Sequence, residues 1–134
     1  MSGTDLITEL LTKSASVIAA VPANRIKGGS LAPDIPLNAL LIREVTSVDR
    51  QQLKQGAVVH TVERISVTVR AKSWRDQRAI IRLVRAACVG DRHIELPGIT
   101  KVSVRTAGRG PDMTGPGQSF EQTQDFRVTF DAIV

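Results

Sequence analysis

The stretch that decides the fold is residues 57–90, AVVHTVERISVTVRAK followed at once by SWRDQRAIIRLVRAACVG. In its first half Ile65, Val67, Val69 and Ala71 alternate with Arg64, Ser66, Thr68 and Arg70. That period of two marks a strand with one dry face and one wet face. In its second half Ile80, Ile81, Val84, Ala87 and Cys88 recur at helical spacing. Ser73 is placed to cap that helix, with Asp76 three residues on as a shortened capping box, and Gly90 suits the position just past its end. Strand and helix are joined with almost no linker, which defines an α+β unit. At ~3.3 Å per residue a strand over 57–71 would run about 50 Å, so its start is expected to project or to pair elsewhere.

Outward from this unit, residues 4–20 predict an amphipathic helix. Leu6, Ile7, Leu10, Leu11, Val17, Ile18 and Val21 form its stripe, with Ser14 as a small gap, Thr4 as cap and Pro22 as stop. Residues 22–37 hold three prolines and a Gly-Gly pair and predict a loop. NALLIREVTSV (38–48) predicts a first strand, and the polar run 49–56 a long hairpin loop. ITKVSVRT (99–106) predicts a third strand with Val102 and Val104 inward. Residues 107–119, AGRGPDMTGPGQS, predict an irregular Gly/Pro loop. Residues 120–134 predict a last strand with Phe126, Val128, Phe130 and Ala132 inward. The expected architecture is α+β: one domain over 1–134, a four-stranded, mainly antiparallel or mixed sheet, and two helices packed on one face.

Composition narrows the function classes. The 134 residues are 42% hydrophobic and 23% charged, ordinary for a globular chain with a real core. With three Phe, one Trp and no Tyr, that core must be aliphatic, and the stacking platforms of single-stranded nucleic-acid binders are missing. The net charge of +5 favours polyanionic partners, but the cations are scattered rather than blocked. Cys88, the single cysteine, cannot form an intrachain disulfide, and the first residues lack the basic start and apolar run of a signal peptide. No apolar run approaches the ~18 residues of a membrane span. The expectation is a protein made in the cytosol, without a membrane partner.

Chemistry is hard to find. His60 falls in the strand and His93 in the link after the second helix, and no HExxH, CxxC or GxSxG is present. Cys88 sits on the apolar side of its helix, as an inert core residue does. KGGS (27–30) and GRGPDMTGPG (108–117) lack the lysine and hydroxyl spacing of a phosphate loop. The chain therefore reads as a non-enzyme with no cofactor and no metal. The sharper feature is a charge stripe, Arg75, Arg78, Arg82 and Arg85, opposite the apolar face of the second helix. Such a stripe is either the solvated side of an amphipathic helix, the commoner case, or a row of cations facing an acidic partner or passing DNA in a closed oligomer. The loop residues Arg50, Lys54, Arg109 and Asp112 complete the candidate interaction surface, since long loops in a small domain carry function about as often as they are tolerated insertions.

Several of these features taken together resemble the tail completion, or tail terminator, proteins of long-tailed phages. They are the N-terminal helix, the loop with Arg25-Ile26, the approach APDIPLNALLI (32–42), the strand running into Ser73-Trp74-Arg75, the helix ending VRAACVG (84–90), and the closing strand QDFRVTFDA (124–132). The resemblance spans about residues 5–133 and rests on layout rather than on an invariant catalytic motif. Lys27 departs from it, standing where the family pattern has an aromatic. The resemblance implies a structural virion protein at the head-proximal end of the tail, assembled in the host cytoplasm. It would form a homo-oligomeric, hexameric ring that stops tube polymerisation and joins the head. Its partners would be the tail tube protein, the head–tail connector and DNA passing through the lumen without specific binding. A head–tail connector (stopper or adaptor) of similar size and a basic nucleic-acid-binding module are the alternatives.

Overall fold

The computed structural model describes residues 3–50, 58–92 and 97–133, with backbone only for Arg50, Asp91, Arg92 and Ile133. The chain opens with helix α1 (Gly3–Lys13) and the short helix α2 (Ala15–Ala20). These replace the single helix expected over 4–20. Ser14, expected only as a gap in the stripe, breaks the helix. Its Oγ turns back to accept the Val17 N–H at 3.5 Å and caps α2, as short hydroxyl side chains do when they compete for backbone groups. The apolar face survives the break, because Leu6, Ile7, Leu11, Val17 and Val21 are all buried. Thr4 lies inside α1 and is not its cap, whereas Pro22 follows the helix end as expected.

A 3₁₀ turn (Ala23–Arg25) leads into strand β1 (Ile26–Gly28), so the Pro/Gly segment is not wholly loop. β1 pairs in parallel with β2 (Ala39–Arg50), and Arg25 donates to the Leu37 carbonyl at 2.9 Å to hold the approach between them. β2 extends through Asp49 and Arg50, past its predicted end, and pairs antiparallel with β3 (Val58–Ala71). The remaining hairpin residues, 51–57, lie outside the described residues. Helix α3 (Trp74–Cys88) begins as the sequence predicts, with the Ser73 Oγ accepting the Asp76 N–H at 3.1 Å. Gly90, the residue after the Val89 cap, takes φ +128°, a conformation that favours glycine.

Strands β4 (Gly90–Arg92), β5 (Ile99–Arg109), β6 (Met113–Gly115) and β7 (Ser119–Ile133) follow. The result is one seven-stranded mixed sheet in the order β1-β2-β3-β7-β5-β4, with β6 pairing the start of β7. The four long strands are the four expected. The other three, β1, β4 and β6, are three-residue strands too short to leave a periodic signature.

The expected loop 107–119 is mostly ordered pairing. β5 continues through a bulge to Arg109, with Gly108 at φ +116°, and β6 folds back onto β7. Two β7 glutamines clamp the turn: Gln122 Nε2 donates to the Gly110 carbonyl at 2.9 Å and Gln124 Nε2 to that of Gly108 at 3.0 Å.

All three helices pack on one face. Their stripes meet Leu40, Ile42, Ile65, Val67, Val69, Val104, Phe126, Val128 and Phe130 in one core cluster. Ala87 is only partly buried, while Gln77, not expected inward, is fully buried. The other sheet face is not uniformly wet. Over Ser66 and Thr68 it is buried. There Thr68 and Thr123 hydroxyls meet at 2.8 Å, Arg70 pairs with Glu121 at 2.7 Å, and Arg70 also donates to the Ala32 carbonyl of the proline-rich segment at 2.9 Å.

β3 outruns the helices. Its start pairs with β2 and with the end of β7, so its length is matched on both sides. At this end Glu63 is 4% exposed and accepts the Gly3 N–H at 3.2 Å. The approach is close enough that a Cβ on Gly3 would lie 3.0 Å from Glu63 Oε2. Burial, then the hydrogen bond and charge of neighbouring Glu44, push the Glu63 carboxyl up to about 7.

Candidate interaction surface

The helical spacing of Arg75, Arg78, Arg82 and Arg85 carries into the structure. All four are exposed, on the side of α3 away from Ile80, Ile81, Val84 and Cys88. Among the described residues none of the four forms an ion pair. Arg78 instead lies over the Trp74 ring, 4.7 Å from its centroid, a cation–π contact.

Two further candidates join them. Arg109, at the end of β5, and Asp112, in the turn after it, line a cleft of about 160 Å³ with Arg78, Ile81, Arg82 and Gln122. What brings the turn to the helix is Asp112. Its carboxylate accepts from Trp74 Nε1 at 3.1 Å and from Gln77 Nε2 at 2.7 Å. Gln77 also donates to Gln122 Oε1 at 3.3 Å, joining helix, turn and β7. The Trp74 hydrogen bond, then that from Gln77, and the charges of Arg78 and Arg109 hold the Asp112 carboxyl below the usual carboxylate range. The cleft therefore holds three cations around one ionised carboxylate that is already engaged in positioning the turn. Such a site can bind acidic groups; it offers no paired acid and base.

Arg75 and Arg85 share the helix face but do not line the cleft. Arg50 stands at the far end of β2, opposite His60, away from α3, and Lys54 lies outside the described residues. His93 lies outside them too. Sequence reasoning missed three contributors here. Trp74 is 47% and Met113 59% exposed, and with Asp112, Thr114 and Phe120 they line an open hollow beside the cleft. A lone Trp directly after a helix cap, off the apolar stripe, was a usable signal. Gln77 left none, since a polar residue on the inner helix face needs the tertiary partner to explain it.

A second arginine cluster lies on the opposite side of the molecule. Residues directly across a ladder share a face, and Arg64 (β3) is across from Arg127 (β7), itself across from Arg105 (β5). The three line a concavity of about 470 Å³ whose other walls are Thr46, Val48, Val62, Glu63, Thr106 and Ala107. Arg64 is braced by Asp125 at 2.7 Å and donates to the Ala107 carbonyl at 3.1 Å.

Among the described residues no group of three or more His, Cys, Asp or Glu side chains is placed to hold a metal ion, and no helix is long and apolar enough to cross a membrane. Cys88 is buried and in no disulfide.

No protein-family model and no curated protein sequence matches the chain. Solved structures do. A chain of the virion of a native gene transfer agent particle superposes with a TM-score of 0.63 at 13% identity, covering 94% of this chain and 92% of that one. At that identity the likeness is one of fold, and it extends over the whole architecture of both chains.

Proposed function

We propose that this is a structural protein of a phage-like virion, acting as a tail terminator. It would form an oligomeric ring, hexameric by the family resemblance, on the head-proximal end of the tail tube. There it stops tube polymerisation and offers a surface to the head connector, while DNA passes through the lumen without specific binding. The observation that carries this reading is the end-to-end likeness to a virion component. The sequence layout from Arg25-Ile26 to QDFRVTFDA supports the narrower role. Exposed arginine surfaces on α3 and on the sheet fit a protein that works by contact with partners.

The test has two parts. Purified protein, alone or mixed with tail tube protein, is expected to form rings by light scattering and electron microscopy; strict monomers under both conditions would sink the proposal. Deleting the gene from its particle is expected to give overlong tails without heads. Tails of normal length that merely fail to attach heads would point to a connector instead.

A further inference from the structure

We propose that the cleft between α3 and the turn after β5, together with the apolar hollow beside it, is a docking site for an extended protein segment that carries acidic side chains next to a large apolar one. Arg78, Arg82 and Arg109 take the carboxylates, and Trp74, Met113 and Phe120 take the apolar anchor. The inference goes beyond the ring reading, since it holds for a single copy of the chain.

The first ground is charge. Three guanidiniums and one carboxylate line the cleft. That carboxylate, Asp112, is committed to the fold: its two oxygens accept from Trp74 Nε1 and Gln77 Nε2. The excess of positive charge is complemented by an incoming carboxylate, which a planar guanidinium can grip with two parallel hydrogen bonds.

The second ground is the apolar neighbour. Asp112 lines both the cleft and the hollow, so the two share a wall. The hollow has a volume of about 470 Å³ and presents Met113 and the Trp74 ring to solvent. Trp, Met, Phe and Arg are the residue types enriched at protein interfaces, and Trp and Arg lead their hot spots. A strand-like segment rising ~3.3 Å per residue passes from hollow to cleft within a few residues.

The third ground is preorganisation, and it also selects the occupant. Arg78 lies over the Trp74 ring, Trp74 is tied to Asp112, and Asp112 to Gln77, which is fully buried and tied in turn to Gln122. Side chains held before a partner arrives lose less freedom on binding. The same contacts disfavour nucleic acid. Base stacking needs an open aromatic face, and Arg78 covers one face of Trp74. Asp112, held ionised by its hydrogen bonds, stands between cleft and hollow. A nucleic-acid strand carries a phosphate at every residue and would bring one past it, whereas a peptide passes neutral backbone there.

The experiment uses the full chain and a random copolymer of glutamate and phenylalanine, which samples many spacings of acid and ring. Polyglutamate and a DNA duplex are the comparison probes. Trp74 is the only tryptophan and stands at the site, so its fluorescence reports occupancy directly. The copolymer is expected to bind about tenfold more tightly than polyglutamate, the gain from burying one large apolar side chain. Arg82→Gln and Arg109→Gln should each weaken copolymer binding by about tenfold. Arg75→Gln, on the same helix but outside the cleft, should change it by less than about twofold. Met113→Ser should erase the advantage of the copolymer over polyglutamate. All four replaced side chains are exposed, and thermal melts check that each variant folds. No change in Trp74 fluorescence, a copolymer no tighter than polyglutamate, Met113→Ser without effect, or Arg75→Gln as costly as Arg82→Gln overturns the docking site. A DNA duplex that binds more tightly than the copolymer, and is lost in Arg82→Gln, would make the cleft a phosphate surface and overturn it as well. Rings that form without copolymer binding remove the docking site alone; a strict monomer that binds the copolymer in this pattern removes the ring alone.

Discussion

The arginine stripe of α3 and the arginine row of the sheet lie on opposite sides of the molecule and reach the same residue type by different routes. On α3 the spacing of three and four residues stacks Arg75, Arg78, Arg82 and Arg85 along a helix face, where long side chains splay into water and repel little. One of them, Arg78, is steadied by the Trp74 ring. On the sheet, Arg64, Arg127 and Arg105 come from strands distant in sequence and are brought side by side by register. Their backbones sit ~5 Å apart and cannot spread. The solvated stripe outside the cleft needs no further explanation. A row drawn from three strands exists only through their register, and within it Arg64 is braced by Asp125.

Four measurements can break or sharpen this contrast. The largest effect is expected along β7, where adjacent residues serve opposite faces. Phe126→Ala, in the core beneath the row, should cost about 3–5 kcal/mol in denaturant unfolding, because it leaves a cavity. A loss under about 1 kcal/mol would mean that the strand is not packed as described. Next, Gln77→Ala removes the side chain that ties α3 to Asp112 and Gln122, and should cost about 1–3 kcal/mol. If its stability matched that of Ala79→Ser, an exposed control on the same helix, the stripe would not be anchored through this network.

The pH dependence comes third. Glu63 titrates at about 7 in the folded protein against 4.5 for an unperturbed carboxyl, so the folded state holds the proton more tightly. Its contribution is complete below the unfolded value and is lost as pH rises through about 7. Stability is therefore expected to fall over that interval, and Glu63→Gln, which mimics the protonated form, should flatten the fall. Parallel profiles for wild type and variant would show that Glu63 is not the titrating group. The smallest effect is the most direct comparison of the two clusters. Arg127→Thr should raise monomer stability by up to about 1 kcal/mol by relieving the row. Arg82→Thr should change it by less than about 0.5 kcal/mol. Equal effects would remove the distinction between row and stripe.

Much of the fold could be read from local pattern. The β3–α3 join, the Ser73 cap, the buried faces of Val102–Val104 and Phe126–Phe130, and the burial of Cys88 all follow from periodicities of 2 and 3.6 and from capping chemistry. The segments that departed from expectation share a cause. Residues 26–28 and 113–115 become strands because β2 and β7 supply their hydrogen bonds, a template that the short segments do not carry in their own residues. At Ser14 a single hydroxyl outweighed the continuity of an apolar stripe.

The candidate surface divides in the same way. The α3 stripe was legible because a helix writes its faces into the spacing of one contiguous segment. That Arg109 and Asp112 would meet it was not, since Gln77, Gln122 and Trp74 set that contact from three different elements. The Arg64–Arg127–Arg105 row was the least legible of all. The sequence by itself determined an α+β domain with an aliphatic core, a basic surface and an amphipathic, arginine-faced helix. Only the tertiary structure decided which arginines confront one another, because cross-strand register is a property of paired segments, and a shift of one residue would have turned each of those side chains to the other face.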